Sequence, residues 1–448
     1  MTPDLVARLQ AAGYDADAAQ GRAVWLERAS AEFVRETGAQ PAWHWSVPGR
    51  IEIFGKHTDY AGGRSLLAAV PRGFAVVGGP RTDDRVRVTD ARHGDVALID
   101  ILDSGRVWRG WANYVAVTAR RLARDFPGAR LGMDIAFASD LPRAAGLSSS
   151  SALVVGIALA LIRRGGLEGR DDWRRVIGSV EDLAWYLGCV ENGLPYKSLE
   201  GTLGVGTHGG SQDHTAILAC RPGVVSHYSF IPVRAHGVAP MPESWRFVVA
   251  SSGVHADKAG SVRERYNRAS LAVRALVAIS NATNPAESAV SLAAALDRHA
   301  DAEGQLREAI RRSDLPGFTH ADLSRRLTQF VHETARVPRA ATAFADMDFT
   351  QLHSLARASQ EDAEALLGNQ IPETVALVGM AYEEGAFAAS AFGAGFGGSV
   401  WALVAAADAE RFGATWLAKY HREYRHRDGA DWFSAIPGPG AVEVTATG

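Results

Sequence analysis

Gly146-Leu147 is followed by four consecutive serines, Ser148 to Ser151, which run straight into the uncharged stretch Ala152 to Ile162. Pro142 and Gly146 keep the chain out of helix until Leu147, so the hydroxyls fall where a helix begins and the apolar stretch carries that helix inward. The stretch is far short of the roughly 20 residues that span a bilayer, which makes it a buried helix. A helix start presents unpaired N–H groups and the positive end of the backbone dipole, which together hold phosphate oxygens without a lysine. Ser148, Ser149 and Ser150 add donors, and a serine oxygen can ligate Mg²⁺. Serine as a plain cap on a core helix is the competing reading, although four in a row exceed what a cap requires.

At 448 residues the chain exceeds what one core usually serves, so two domains are expected, or three. A 47% hydrophobic and 22% charged composition describes an ordinary globular protein, and a net charge of −3 gives no reason to expect a polyanion or an anionic membrane as partner. Small ligands are the expected partners, with the chain a monomer or weak dimer. The two cysteines, Cys189 and Cys220, form no disulfide framework and have no metal-ligand spacing, which suits structural thiols in a reducing cytoplasm. The first residues are acidic and polar where an export signal needs a basic start and an apolar run.

Along the chain, residues 4 to 37 read as helix, with Leu5, Leu9, Val24, Leu26 and Val34 among polar positions. Strand-like pieces rich in β-branched residues follow at Ile51 to Phe54, Ser65 to Val70, Phe74 to Gly78, Val86 to Thr89 and Met133 to Phe137. Trp111 to Phe126 and Ala152 to Arg164 read as helices. From about Glu243 a second pattern starts: Trp245 to Ser251 as strand, long Ala/Leu/Arg/Glu helices to about Gly385, and Ser399 to Ala405 as a late strand. The fold class is α+β, with domains expected over 1–242 and 243–448; the prolines 232, 240 and 242 mark the boundary.

A second glycine loop, Phe392 to Ser399, formally matches G-x-G-x-x-G, but the dinucleotide fingerprint needs a helix after it and strand residues follow here. A turn whose backbone approaches a ligand closely, or a tight hairpin turn, are the readings left. Gly49 to Lys56 is no Walker A loop either, because five residues separate its glycines and His57 follows the lysine. His426-Arg427-Asp428 imitates a protein-kinase triplet with no Asp-Phe-Gly after it, and is chance.

Three stretches, Gly49 to Tyr60, Gly146 to Ser150 and Gly393 to Gly398, occur in the order and at the separations of the GHMP kinase superfamily, which the chain resembles from about residue 40 to 405. His57-Thr58-Asp59-Tyr60 and Trp111 to Val115 narrow the resemblance to the galactokinases. It implies a two-domain fold with a ribosomal protein S5 domain 2-like first half and a ferredoxin-like second half. It also implies transfer of a phosphoryl group from ATP, with Mg²⁺, to the anomeric hydroxyl of a sugar. Such transfer is mostly positioning and charge stabilisation.

Carried over residue by residue, the resemblance puts Arg50 against the reacting hydroxyl and the transferring phosphate, a position otherwise read as a surface arginine in a turn. Asp213 becomes the acceptor of the hydroxyl proton, where position alone suggests a helix cap. Ser150 and Glu191 would hold the metal, although the spacing from Glu191 to Asp213, through Leu194 to His208, is longer than the family's. Gly146, Leu147, Ser148, Ser149, Ser150, Gly395 and Gly397 would surround the phosphates, and Trp111 would flank adenine unless it is a core aromatic. His57, Asp59, Gly210 and Tyr266 would contact sugar hydroxyls.

Position 56 departs from the pattern: galactokinases usually carry a glutamate there, accepting from a hydroxyl at the far end of the sugar, and an ammonium cannot accept. Lys56 is therefore expected either to donate to galactose, its charge paired by Glu52 or Asp59, or to select a sugar acid such as galacturonate. Ser211-Gln212-Asp213-His214 also departs from the family's Ile-Met-Asp-Gln. A non-catalytic galactose sensor is a further alternative, which Arg50, Asp213 and the phosphate loops argue against.

Overall fold

The computed structural model describes residues 3–103, 105–142, 146–254 and 260–445; residues 143–145 of the serine-rich loop lie outside them. Among the described residues twelve strands form two sheets: β1 (Trp43–Phe54), β2 (Arg64–Pro80), β3 (Arg85–Asp90), β4 (Val96–Asp100), β5 (Met133–Ser139), β6 (Val224–Ser229), β7 (Arg234–Pro240), β8 (Trp245–Ser251), β9 (Ala388–Phe392), β10 (Ser399–Ala405), β11 (Asp431–Ala435) and β12 (Val442–Glu443).

The first sheet runs β12-β1-β2-β5-β3-β4, with β6 on the other end of β2 and β7 beyond it. Its two faces bury different sets, as period-two alternation requires. Val47 and Val76 pack against Leu153 and Ile157 of the Ser149–Gly165 helix, while Ala75 and Val77 pack under Leu26 and Phe33 of the Ala16–Thr37 helix. The pieces read separately as Ser65 to Val70 and Phe74 to Gly78 are one continuous strand, because β1 pairs along both. The register slips between Pro48 and Arg50, and Gly73 lies so close that a Cβ there would fall 2.0 Å from the Val47 carbonyl oxygen. Such a bulge bends the pair and re-aims the next side chain, which is that of Arg50.

The second sheet runs β11-β8-β10-β9, all antiparallel. Counted in chain order this is 4-1-3-2, with helices between the first and second strands and the third and fourth, a β-α-β-β-α-β arrangement of ferredoxin-like type. The change of sheet falls between Pro240 and Trp245. The tail then crosses back, β12 pairing Trp45 with Glu443, a return that a division at 242 does not anticipate. The helix read over 4 to 37 is two, Pro3–Ala11 and Ala16–Thr37, since Gly13 takes φ +103 and Asp15 caps the second by accepting from the Ala18 N–H. Among the described residues no helix is long and apolar enough to cross a membrane.

Candidate active site

β1 delivers Arg50 and Glu52 to one face, two residues apart, at the seam between the two halves. Arg50 is 4% exposed. Its Nε and Nη2 each lie 2.8 Å from Asp213 Oδ1, and its Nη1 donates to the Gly146 carbonyl at 2.5 Å. Asp213 sits in the first turn of the Gln212–Ala219 helix, which Asp59 starts by accepting from the Gln212 N–H at 3.1 Å. One guanidinium thus joins a carboxylate to the loop that opens the serine helix.

The same cavity is lined by His57, Asp59, Gly210 and Tyr266. His57 has φ 58, a left-handed backbone rare for a residue with a side chain. Its Nδ1 is 2.9 Å from the Tyr60 hydroxyl, its Nε2 3.2 Å from the Ala394 carbonyl, and its ring 5.3 Å from that of Tyr266. Burial, with Asp59 adding to it, holds the Tyr266 hydroxyl far above the ordinary phenol range, so it stays a donor. Gly210 carries no Cβ because one would fall 2.4 Å from Asp59 Oδ2.

Glu191 is 3% exposed, and the hydroxyl that reaches it is that of Ser151, at 2.9 Å from Oε2, with Asp213 Oδ2 3.5 Å further on. Ser151 lines the cavity, and the expected Ser150 lies one position before it on the same helix start. Helical spacing explains it: 151, 155 and 158 share the buried face of their helix, while Ser149 and Ser150 turn half outward. His214 Nε2 lies 3.0 Å from the same Glu191 oxygen, out of line for a hydrogen bond. The long segment before Asp213 folds back on this corner. The Val205 N–H donates to the Glu191 carbonyl, and Asn192 Oδ1 accepts from Thr207 and the Gly209 N–H.

The two glycine loops face each other. The 393–398 turn is a hairpin connection between β9 and β10, and a Cβ on Gly393 would fall 2.9 Å from the Gly146 carbonyl oxygen. Ser148 begins the serine helix at φ 62 with its buried hydroxyl unpartnered among the described residues, beside half-buried Ser149. Leu147 is a core residue whose carbonyl accepts from the Arg50 N–H. Gly395, at φ +78, is held by packing: a Cβ would fall 2.4 Å from the Asn369 carbonyl oxygen. Gly397 has φ +134.

Trp111, expected beside adenine, starts its helix half-buried against the core, with the indole 5.4 Å from the Phe137 ring. Lys56 is 1% exposed and turned away from this cavity: its Nζ donates to Ser359 Oγ at 2.6 Å and Ser390 Oγ at 2.8 Å. Those serines belong to the Phe349–Asp362 helix and β9 in the second half, so the lysine meets its charge inside the protein and the galacturonate reading loses its support.

Glu52 was not foreseen as a site residue, although alternation from Arg50 aims it at the same cavity. It is 2% exposed and accepts from the Gly393 N–H at 2.8 Å, tying β1 to the second glycine loop. Burial pushes its carboxyl up, with Arg50 and Gln212 opposing.

A family model for the galactokinase galactose-binding signature matches residues 31–80, and models for the GHMP kinases N terminal domain and the GHMP kinases C terminal match 113–182 and 340–422. The chain is 30% identical over 397 residues to the galactokinase of a Roseiflexus species, covering 87% of this chain and 90% of that one. It is 29% identical over 401 residues to the galactokinase of Chloroflexus aurantiacus, covering 87% and 91%. Among solved structures, Lactococcus lactis galactokinase complexed with galactose matches at a TM-score of 0.74 and 22% identity, over 93% of this chain and 99% of that one. Methanococcus jannaschii mevalonate kinase matches at 0.50 and 13%, over 87% and 96%.

The fold and the paired glycine loops define a GHMP-type kinase with ATP as a substrate. The chain belongs to the galactokinase family and is a sugar kinase.

Proposed function

We propose that this chain transfers the γ-phosphoryl group of ATP to the anomeric hydroxyl of galactose. The observation that carries the reading is the Arg50 guanidinium bonded at once to Asp213 and to the Gly146 carbonyl. It puts a single cation between the group that would take the hydroxyl proton and the loop that would hold the phosphates. In the reaction the sugar O1 attacks the γ-phosphorus, the bond to the bridging oxygen of ADP breaks, and the hydroxyl proton passes to Asp213. Arg50 offsets charge on the transferring group and keeps the Asp213 carboxylate aimed at O1. The Ser148 hydroxyl, unpartnered among the described residues, and the helix start behind it would supply donors for phosphate oxygens.

His57, Asp59 and Tyr266 would read the sugar hydroxyls, since a wrong epimer would leave buried polar groups unpaired. Among the described residues no three His, Cys, Asp or Glu side chains are arranged to hold an ion by themselves. Glu191 with the Ser151 hydroxyl is a hard-oxygen corner that suits Mg²⁺, whose remaining ligands in kinases are phosphates and water. When bound there, Mg²⁺ would neutralise phosphate charge. The test is a panel of galactose, glucose and galacturonate with ATP, scored by NMR for the sugar 1-phosphate. Galactose 1-phosphate is the expected product; its absence alongside another sugar 1-phosphate would replace galactose in this reading.

A further inference from the structure

The loop from Gly55 to Asp59 carries two of the cavity's polar side chains in a backbone that is costly to hold, with Gly55 at φ +105 and His57 at φ 58. One face of the His320–Ala345 helix, in the other half of the chain, covers it. Arg326 Nη2 donates to the His57 carbonyl at 2.6 Å and to the Tyr60 hydroxyl at 3.2 Å, and that hydroxyl is the partner of His57 Nδ1. Gln329 Nε2 donates to the Lys56 carbonyl at 2.9 Å. Glu333 Oε1 accepts from the Gly55 N–H at 2.9 Å and the Lys56 N–H at 3.2 Å. Residues 326, 329 and 333 follow helical spacing, so a single stripe meets successive peptide groups of the loop.

Glu333 is 1% exposed. Burial acts to raise its carboxyl, and Lys56, Arg336 and the Gly55 N–H outweigh it, holding the group below the ordinary carboxylate range. Lys56 reaches it through a hydroxyl: Nζ donates to Ser359 Oγ, which donates on to Glu333 Oε1 at 2.9 Å. Arg336 Nη1 takes the other oxygen at 3.1 Å.

We propose that the Arg326, Gln329 and Glu333 stripe is the positioning element for sugar binding. It fixes the Gly55 to Asp59 backbone so that His57 and Asp59 face the cavity, and Lys56 serves it as the counter-charge of Glu333, bridged by Ser359. The proposal rests on the galactose reading, and galactose binding by the wild-type chain separates the two. No wild-type binding removes the galactose assignment, whereas normal wild-type binding with unmoved variants removes the positioning role.

The experiment measures galactose and ATP dissociation constants by calorimetry for Lys56→Met, Glu333→Gln and the double variant, each checked for folding. Lys56→Met leaves Glu333 with Arg336 as its remaining cation, and Glu333→Gln leaves Lys56 without its bridged counter-charge; each raises the galactose constant roughly tenfold, with the ATP constant within about twofold. Removing both charges relieves the imbalance, and the double variant returns to within roughly threefold of wild type. Ser359→Ala, which cuts the bridge and leaves both charges, gives the same selective loss where a single charge deletion does not fold. A double variant no better than the worse single, or an equal loss of ATP affinity, overturns the proposal.

Discussion

Arg50 and Asp213, 163 residues apart in the chain, meet with the guanidinium Nε 2.8 Å from the carboxylate Oδ1. In the proposed transfer the two act together: the carboxylate would take the hydroxyl proton, and the arginine would offset charge on the transferring phosphoryl group. Asp213→Asn is expected to lower kcat by about 10²- to 10⁴-fold, because the amide keeps the shape and loses the basicity. Galactose affinity, read by calorimetry, should hold. Near-normal turnover in the folded variant would remove Asp213 from the chemistry.

Ser151 is expected to matter more than Ser150. The Ser151 hydroxyl is the group that bridges Glu191 Oε2 to the neighbourhood of Asp213. Ser151→Ala should cost roughly tenfold in kcat and raise the Mg²⁺ concentration for half-maximal rate. Ser150→Ala should do less. The two variants titrated with Mg²⁺ decide the matter, and the reverse order would return the metal to Ser150.

The parts of the fold legible in the sequence are those where local signals agree with burial. Trp245–Ser251 and Ser399–Ala405 are strands at their expected bounds, since both are apolar runs between turn residues. The hairpin of β6 and β7 was not legible, because Arg234 to Gly237 is exposed and has no alternation to read. In the site, Arg50, Asp59 and Asp213 could be found from motifs. Glu52 and Ser151 were visible only as periodicity relative to a known neighbour. Glu333 had no local signal: its role comes from a helix in the other half packing over a left-handed turn, which only the tertiary structure brings together.

Lys56→Glu is expected to impair galactose and galacturonate turnover alike, with no switch between them. The new carboxylate would sit in the Ser359 and Ser390 pocket facing Glu333, with no water to screen it. An uncompensated buried charge of this kind costs about 3–5 kcal/mol of stability. Thermal unfolding and a two-sugar assay check both parts. A gain on either sugar would put the side chain back in the cavity.

Both thiols should be silent in the folded chain. Burial pushes Cys189 and Cys220 up to about 12, and each is nearly inaccessible. The thiolate is the reactive form, so a disulfide reagent at pH 8 should label neither until denaturant is added. Prompt labelling of one thiol in the native protein would show that its helix or loop opens readily.

Glu52 gives the pH dependence its sign. Its folded-state carboxyl lies above the ordinary value, burial being the leading cause, so the fold favours the protonated form. The stability this contributes is complete below the ordinary carboxylate pKa of about 4.3 and is lost as pH rises through the higher folded value. Glu52→Gln keeps an oxygen for the Gly393 N–H and carries no charge to desolvate. The Tm of the variant minus that of wild type should therefore be smallest near pH 4 and grow more positive towards pH 8. A difference that stays flat or shrinks over that range would mean that Arg50, not burial, decides the charge state of Glu52.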